Sequence, residues 1–89
     1  MKAVVTVVGK DQVGIIAGVC IKLAEYNVNV LDISQTVMQG YFTMMMVVDV
    51  TESKVPLAQL CVEMEEEGKN RGLSIRVQRE DIFEAMHRI

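Results

Sequence analysis

The residues best suited to binding chemistry form a short polar turn, residues 9–14, between two apolar stretches. The β-branched residues at 4–8 favour a strand before the turn, and the apolar spacing across 15–26 favours a helix after it. The first backbone N–H groups of a helix have no partner within the helix and lie at the positive end of its dipole. The junction therefore suits a carboxylate or phosphate oxygen as ligand.

Gly14 stands directly before the predicted helix and has no Cβ. Its backbone tolerates a positive φ, and a ligand or a neighbouring backbone can approach it closely. A purely structural interpretation is equally open, in which Gly14 only lets the helix start tightly against the strand.

Residue patterns that would support catalysis or metal binding are absent from the sequence. The loop Lys10-Asp11-Gln12 has no Arg to clamp an acyl phosphate, no Cys-x-x-Cys pair to bind copper, and no Ser or Thr to complete a nucleotide-binding loop. His87, the single histidine, has no evident partner, and the acidic run at 65–67 is interpreted as a solvated helix face. We therefore expect no enzyme activity, no catalytic residue, no metal site and no cofactor.

The composition is that of a small globular domain. The chain has 89 residues, of which 51% are hydrophobic and 24% charged, with a net charge of -3. A chain of this length buries only roughly 60 to 65% of its unfolded surface, so burial in an oligomer would add stability. Nine Lys and Arg among twelve acidic residues do not form the dense basic patch that nucleic acid requires.

The sequence predicts a cytoplasmic protein that does not contact a membrane. No stretch approaches the roughly 18 apolar residues of a membrane span, and the first segment lacks a signal-peptide cleavage site. Cys20 and Cys61 lie on apolar helical faces and form no Cys-x-x-Cys pair. We expect both to be reduced core residues, and the alternative is a bridge between the two helices.

Six elements follow one another without a linker. Strands are predicted at 2–8, 28–38, 41–50 and 73–79, with helices at 15–26 and from a Ser53 cap and Pro56 to a stop at Gly72. This order is the split βαβ, ferredoxin-like pattern of the α+β class. It predicts a four-stranded antiparallel sheet with both helices on one face and with the first and third strands in the centre.

Three local signals refine this prediction. Asn27 is expected to end the first helix in a left-handed conformation, a change of alternation near Val30 and Leu31 indicates a β-bulge, and Gln39-Gly40 marks a hairpin turn. Residues 80–89 carry an apolar stripe at helical spacing and predict a short C-terminal helix: Ile82, Phe83, Met86 and Ile89. Such a short helix must dock, and we expect it on the uncovered sheet face of its own subunit or of a partner.

Two strings in the sequence resemble the ACT domain, a small regulatory module of amino-acid metabolism. They are Gly-Lys-Asp-Gln-Val-Gly-Ile-Ile-Ala-Gly-Val at 9–19 and Leu-Ala-Glu-Tyr-Asn-Val-Asn-Val-Leu-Asp-Ile-Ser-Gln-Thr-Val at 23–37. The resemblance spans essentially the whole chain, 1–89, as a single domain. More narrowly, the chain is similar to stand-alone single-ACT proteins related to the ACT domains of the glycine cleavage system transcriptional repressor.

This resemblance implies a homodimer that binds a small ligand, most often an amino acid, where the turn after the first strand of one subunit meets the second strand of its neighbour. The ligand-binding residues implied for this chain come from those two segments: Asp11, Gln12, Val13, Gly14, Ile15, Asn29, Val30, Leu31 and Asp32. Many family members have Pro or Arg before the helix-leading Gly, whereas this chain has Gln12 and Val13.

The chemistry of these residues agrees with an amino-acid ligand. Amides around Gly14 and Ile15 can donate to its carboxylate, and Asp11, Asp32 or the Asn29 side-chain oxygen can accept from its ammonium. The acidic pair leaves a cation open as ligand, and in the structural interpretation Asp11 and Asn29 only satisfy nearby amides. We therefore expect a non-catalytic, allosteric regulatory module, and the alternative is a ligand-free interaction subunit that pairs with another ACT-containing protein.

Overall fold

The computed structural model describes residues 1–10 and 14–81. Their six elements follow the predicted order: β1 Lys2–Lys10, α1 Ile15–Glu25, β2 Asn29–Met38, β3 Tyr41–Asp49, α2 Leu57–Arg71 and β4 Ser74–Arg79. No helix in these ranges is long and apolar enough to cross a membrane. The predicted C-terminal helix at 80–89 lies outside the described residues from position 82 onward.

The four strands form one antiparallel sheet in the order β2-β3-β1-β4. The first and third strands are central and the second and fourth are edges, which confirms the predicted βαββαβ fold. β1 continues two residues beyond its predicted end, because Gly9 and Lys10 find partners in Phe42 and Tyr41 at the start of β3.

The hydrophobic core lies between the two helices and one face of the sheet. Alternate residues of a strand point to opposite faces, and the core takes the odd residues of β1 and the even residues of β3. Val19 and Leu23 of α1 and Leu60 and Met64 of α2 complete it and are fully buried. Cys20 and Cys61 are free thiols that pack at its margin, half-buried, so no bridge joins the helices.

The local signals in the sequence are largely confirmed. Asn27 has a φ of 61°, and the register of β2 against β3 shifts between Val30 and Asp32, which is the predicted bulge. Gln39 and Gly40, with φ values of 51° and 82°, form the hairpin turn. Their positive φ values match the right-handed twist of the strands that they join.

The predicted Ser53 cap of α2 is wrong. The helix begins at Leu57 and is preceded by Pro56, whose φ of -60° and ψ of 154° are extended. Ser53 lies one turn too early, and its hydroxyl instead donates to the Val55 carbonyl oxygen at 2.8 Å. Because proline disfavours a helical conformation in the residue before it, the helix cannot start earlier.

Candidate functional site

The amino end of α1 opens onto solvent. Gly14 precedes the helix with a φ of 85° and a ψ of 8°, and its carbonyl oxygen accepts the first helical hydrogen bond from Gly18 at 2.9 Å. The three N–H groups of Ile15, Ile16 and Ala17 therefore have no acceptor within the helix. No acidic side chain lies in the first turn to compete with an anion for them.

The backbone conformation at position 14 favours glycine. A Cβ built there meets no atom of residues 1–10 or 14–81 within 4 Å, so close packing of Gly14 against the described part of the strand is not observed. The positive φ is the feature that favours glycine, since side chains are strained in this region. The described residues leave the space above Gly14 free for a ligand or a second chain.

A depression of about 300 Å³ lies beside this helix end. Its lining joins the start of α1 to the far end of the hairpin: Gly14, Ile15, Ile16, Ala17, Gln35, Val37 and Phe42. Phe42 is buried at its floor, and Val37 is 54% exposed at its rim. Gln35 adds an amide that can both donate and accept.

Five residues of this depression were missed from the sequence: Ile16 and Ala17 in the first turn of the helix, and Gln35, Val37 and Phe42 in the hairpin. A signal for the hairpin residues exists in the alternation of its strands. Beyond the bulge, Gln35 and Val37 share the parity that pairs with Met44 and Phe42 on the core side of the sheet. Combined with the predicted helix start, this register would have placed them beside Gly14.

The site residues that were predicted in β2 lie at the end of that strand away from the depression. Asn29 pairs with Asp49, whereas Val37 pairs with Phe42 near the α1 end of the sheet. Eight residues at about 3.3 Å each separate Asn29 from Val37 by roughly 26 Å along the strand. Within one chain, therefore, the structure does not bring the two halves of the predicted site together.

Each residue in the β2 half has a distinct environment. Asn29 is exposed, Val30 packs against the core, and Leu31 is 47% exposed at the bulge. Asp32 accepts a hydrogen bond from the Ile33 N–H at 2.9 Å and lies on the sheet face away from the helices. From the loop half, Gly14 and Ile15 line the depression, and Asp11, Gln12 and Val13 lie outside the described residues.

The Cys61 thiol is a potential nucleophile, but its surroundings make it unsuited to catalysis. The Cys61 thiol donates to the Val77 carbonyl oxygen at 3.2 Å, and burial together with the nearby Glu65 carboxylate raises its pKa above the usual value. Such a thiol stays protonated at neutral pH and is a poor nucleophile. Across residues 1–10 and 14–81, no group of three His, Cys, Asp or Glu side chains is arranged to hold a metal ion.

A family profile described as the ACT domain matches residues 2–78. A UPF0237 protein of Clostridium acetobutylicum is 54% identical over 89 residues, which cover 100% of both chains. The structure of an ACT domain protein from Streptococcus pneumoniae is 49% identical with a TM-score of 0.83, covering 98% of each chain.

A more distant structure shares the fold alone. It is a glycine cleavage system transcriptional repressor, 19% identical with a TM-score of 0.74, and the match covers 86% of this chain and 44% of that one. The fold therefore recurs as one part of a larger protein.

Proposed function

The chain belongs to the ACT domain family, and we propose that it is a non-catalytic regulatory module that binds an amino acid at the interface of a homodimer. One observation carries this proposal: the open amino end of α1 faces a depression that the hairpin of the same chain only half encloses. A second chain can close it.

The depression offers the groups that an α-amino acid requires. The N–H groups of Ile15, Ile16 and Ala17 suit its carboxylate, because they lie at the positive end of the helix dipole. Val37 and Phe42 provide an apolar surface for its side chain. The Gln35 side-chain oxygen is one acceptor for its ammonium, and a second must come from the turn at 11–13 or from the partner.

The edge of β2 fits the role of dimer interface. Every residue from Leu31 to Met38 is exposed, and the backbone groups on the outer edge of this strand have no strand beside them in the described chain. Several of its apolar side chains are among the most exposed: Leu31 at 47%, Ile33 at 41%, Val37 at 54% and Met38 at 69%. Exposed apolar strand edges pair readily with a second chain.

Antiparallel pairing of two β2 edges would also complete the site. A two-fold axis at the middle of the strand would bring the Asn29 end of one chain to the Val37 end of the other. The roughly 26 Å between these ends within one chain then becomes a short distance between two chains. Asn29 and Leu31 of the partner subunit are the groups that we propose to close the depression.

The proposal includes the absence of catalytic activity. The protonated Cys61 thiol and the ACT family membership support a binding module over an enzyme. The two free thiols are typical of a cytoplasmic protein, and we include that location in the proposal.

The test is thermal unfolding at fixed protein concentration, with each standard amino acid and each common divalent cation in turn. A ligand at about 100 times its dissociation constant stabilises the folded state by about 2.7 kcal/mol. In a domain of this size the midpoint then rises by on the order of 10 °C. We expect a rise with one amino acid or a chemically related group, and no comparable rise with cations.

Two variants locate the site. Asn29→Ala removes a side chain from the proposed interface, whereas Asn70→Ala removes another exposed asparagine, from α2. The ligand-dependent rise should vanish in the first variant and persist in the second. If no amino acid raises the unfolding midpoint of the wild-type chain, the proposal of an amino-acid ligand is wrong. The alternative is then favoured, in which the chain is an interaction subunit that uses the same β2 edge to pair with another ACT domain.

A further inference from the structure

Another depression, of about 390 Å³, follows the outer side of β4, and we call it the β4 groove. Its lining joins α2 to the first part of the strand: Glu65, Lys69, Leu73, Ser74, Ile75 and Arg76. β4 pairs with β1 on one side, and no strand lies along its other side in the described chain. Alternate residues of β4 therefore direct their N–H and C=O groups away from β1, toward the groove.

The strand that forms this edge is held firmly in place. Ile75 and Val77 are buried in the core, and the Leu73 N–H donates to the Gly68 carbonyl oxygen at 2.7 Å. The six residues of β4 extend over roughly 20 Å at about 3.3 Å each, which is a usual length for strand pairing. The edge is therefore a preformed surface for one extended segment of similar length.

Two cations flank this edge, one on each side of the sheet. Arg76 alternates with the buried Ile75 and Val77, so its side chain leaves β4 on the face away from the helices. Lys69 belongs to α2 and lines the β4 groove from the helix side. Both side chains are exposed, and neither forms an ion pair with any residue in 1–10 or 14–81.

Lys69 does not pair with the acidic residues of its own helix. Glu65 lies four residues before it, which is a favourable spacing for a helical ion pair, and Arg71 makes such a pair with Glu67 at 2.5 Å. The Lys69 ammonium can therefore accept a carboxylate from another chain. Glu65 lines the same groove, so an acidic partner residue is favoured beside Lys69 and disfavoured one helical turn away.

The charge of this edge distinguishes it from the edge of β2. The β2 edge carries exposed apolar side chains, whereas the β4 side chains on the face away from the helices are polar: Ser74, Arg76 and Gln78. Antiparallel pairing of two β4 strands about their middle would place the two Arg76 side chains opposite each other or within two residues, on one face. Like charges so placed repel, so a second copy of this chain is a poor occupant.

We propose that the β4 edge binds an extended acidic segment of a different protein, which adds a strand to the sheet. The backbone of this segment pairs with the outward N–H and C=O groups of β4. One of its carboxylates meets Arg76 on the face away from the helices, and another meets Lys69 in the β4 groove. Because directly opposed residues of adjacent strands share a face, these two acidic residues lie an odd number of positions apart.

The two edges of the sheet then have different roles. The β2 edge joins two copies of the chain, and the β4 edge of each copy presents the module to the protein that it regulates. The chain has a net charge of -3 and repels acidic segments in general, so recognition depends on the two local cations. This inference does not rest on the amino-acid ligand, and an amino-acid panel without a response would leave it intact.

NMR titration of the isotope-labelled full chain tests this proposal. The probe is the blocked peptide acetyl-Thr-Val-Glu-Glu-Val-Thr-amide, added to several millimolar, because its adjacent glutamates face opposite sides of an added strand. We expect saturable amide shifts confined to β4 and to the part of α2 that lines the β4 groove. The same peptide with two glutamines in place of the glutamates should bind at least about five-fold more weakly.

Three variants of the chain locate the two contacts. Arg76→Gln and Lys69→Gln should each weaken binding of the glutamate peptide by about two- to five-fold, the range for exposed ion pairs. Lys54→Gln is the matched control, because Lys54 is also exposed and loses the same charge in the turn before α2. Thermal unfolding should show all three variants folded, since each side chain is on the surface.

Backbone pairing is tested with two further peptides that carry N-methyl groups on alternate amides, in opposite phases. Only one edge of an added strand faces β4, so one phase should abolish the shifts and the other should keep them. Equal binding in both phases, shifts along β2 in place of β4, or an equal loss in Lys54→Gln would overturn the proposal. Absence of any saturable shift would also overturn it, and would leave Arg76 and Lys69 as charges that protect a sheet edge from aggregation.

Discussion

The backbone N–H of Leu73 donates a hydrogen bond to the carbonyl oxygen of Gly68, with the two atoms 2.7 Å apart. Together with the bond from the Gly72 N–H to the Lys69 carbonyl at 3.3 Å, it forms the helix-ending motif in which a left-handed residue follows the last turn. The motif brings α2 so close to β4 that a Cβ on Gly68 would lie 2.8 Å from the Leu73 carbonyl oxygen.

Gly68→Ala should therefore destabilise the protein. The new methyl group would meet the Leu73 backbone oxygen and, at 3.0 Å, the Ile75 Cγ1, and backbone atoms cannot move aside without shifting β4. Overpacking of this kind costs about 1–3 kcal/mol, against which alanine recovers up to about 1 kcal/mol of helix propensity. Urea unfolding should show a net loss of roughly 1–2 kcal/mol.

Gly18→Ala is the matched control, since Gly18 also lies within a helix and also has a close neighbour. A Cβ there would lie 2.6 Å from Arg71 Cζ, which is the far end of a flexible side chain. Arg71 can swing away, at the expense of its 2.5 Å exposed pair with Glu67. Stability should stay within about 0.5 kcal/mol of wild type, because an exposed pair contributes little and alanine favours the helix. Equal losses in the two variants would contradict this assignment.

Most of the fold could be predicted because its signals are local. The alternation in β3 and β4 depends only on which residues face the core, and the bulge at Leu31 is visible as a change of parity within one strand. Asn27 and Gly72 ended their helices as expected, since both adopt the left-handed conformation that their side chains permit. The prediction of a Ser53 cap was wrong because Ser53 and Pro56 are both typical of a helix start, and Pro56 lies closer to the helix.

The candidate site was harder to predict because it depends on contacts between distant segments. Gln35 and Val37 reach the start of α1 only through the register of the hairpin, which sequence alternation suggests but does not locate against a helix. The opposite ends of β2 can contribute to one site only across two chains. A single sequence contains no direct signal for that contact.

Val37→Lys should weaken the homodimer proposed at the β2 edge. A lysine at this position would place an unpaired charge at the strand edge and remove an apolar contact. We expect light scattering at a fixed low concentration to show a larger monomer fraction than for wild type. The matched control is Val62→Lys on α2, because both valines are 54% exposed and both changes add one positive charge.

The comparison of these two valines separates a specific interface from a general charge effect. If Val37→Lys leaves the dimer unchanged, or if Val62→Lys weakens it equally, the proposal that β2 forms the interface is wrong. Circular dichroism should show both variants folded, since each side chain is on the surface.

Thr51→Val should raise the pKa of Asp49. In the folded protein the Thr51 hydroxyl and its N–H, the latter 2.9 Å from Asp49 Oδ1, hold the Asp49 pKa below its usual value. The pair therefore adds stability above the usual pKa of an aspartate, and this contribution disappears as the pH falls through the lowered pKa of the folded state. Loss of the hydroxyl should move the pKa part of the way back, since the N–H bond remains.

Carboxyl NMR titration of Asp49 measures this pKa directly. Thr43→Val serves as control because Thr43 is another exposed threonine and lies at the far end of β3 from Asp49. We also expect the stability difference between wild type and Thr51→Val to shrink as the pH drops below the Asp49 pKa. An Asp49 pKa equal in wild type and Thr51→Val would refute the assigned cause.

Gly14→Asn should keep the fold but abolish the response to the ligand. Gly14 and Gly40 have nearly the same φ, 85° and 82°, and a Cβ at either position meets no atom of the described part of the chain within 4 Å. Asparagine tolerates this conformation better than other residues, so each Asn variant should lose no more than about 1 kcal/mol. A side chain at Gly14 would nevertheless occupy the space beside the α1 amides, where we propose that the ligand carboxylate binds. Thermal unfolding with the amino acid identified in the panel should show the full midpoint rise for Gly40→Asn and none for Gly14→Asn, and a full rise in both would move the carboxylate away from the start of α1.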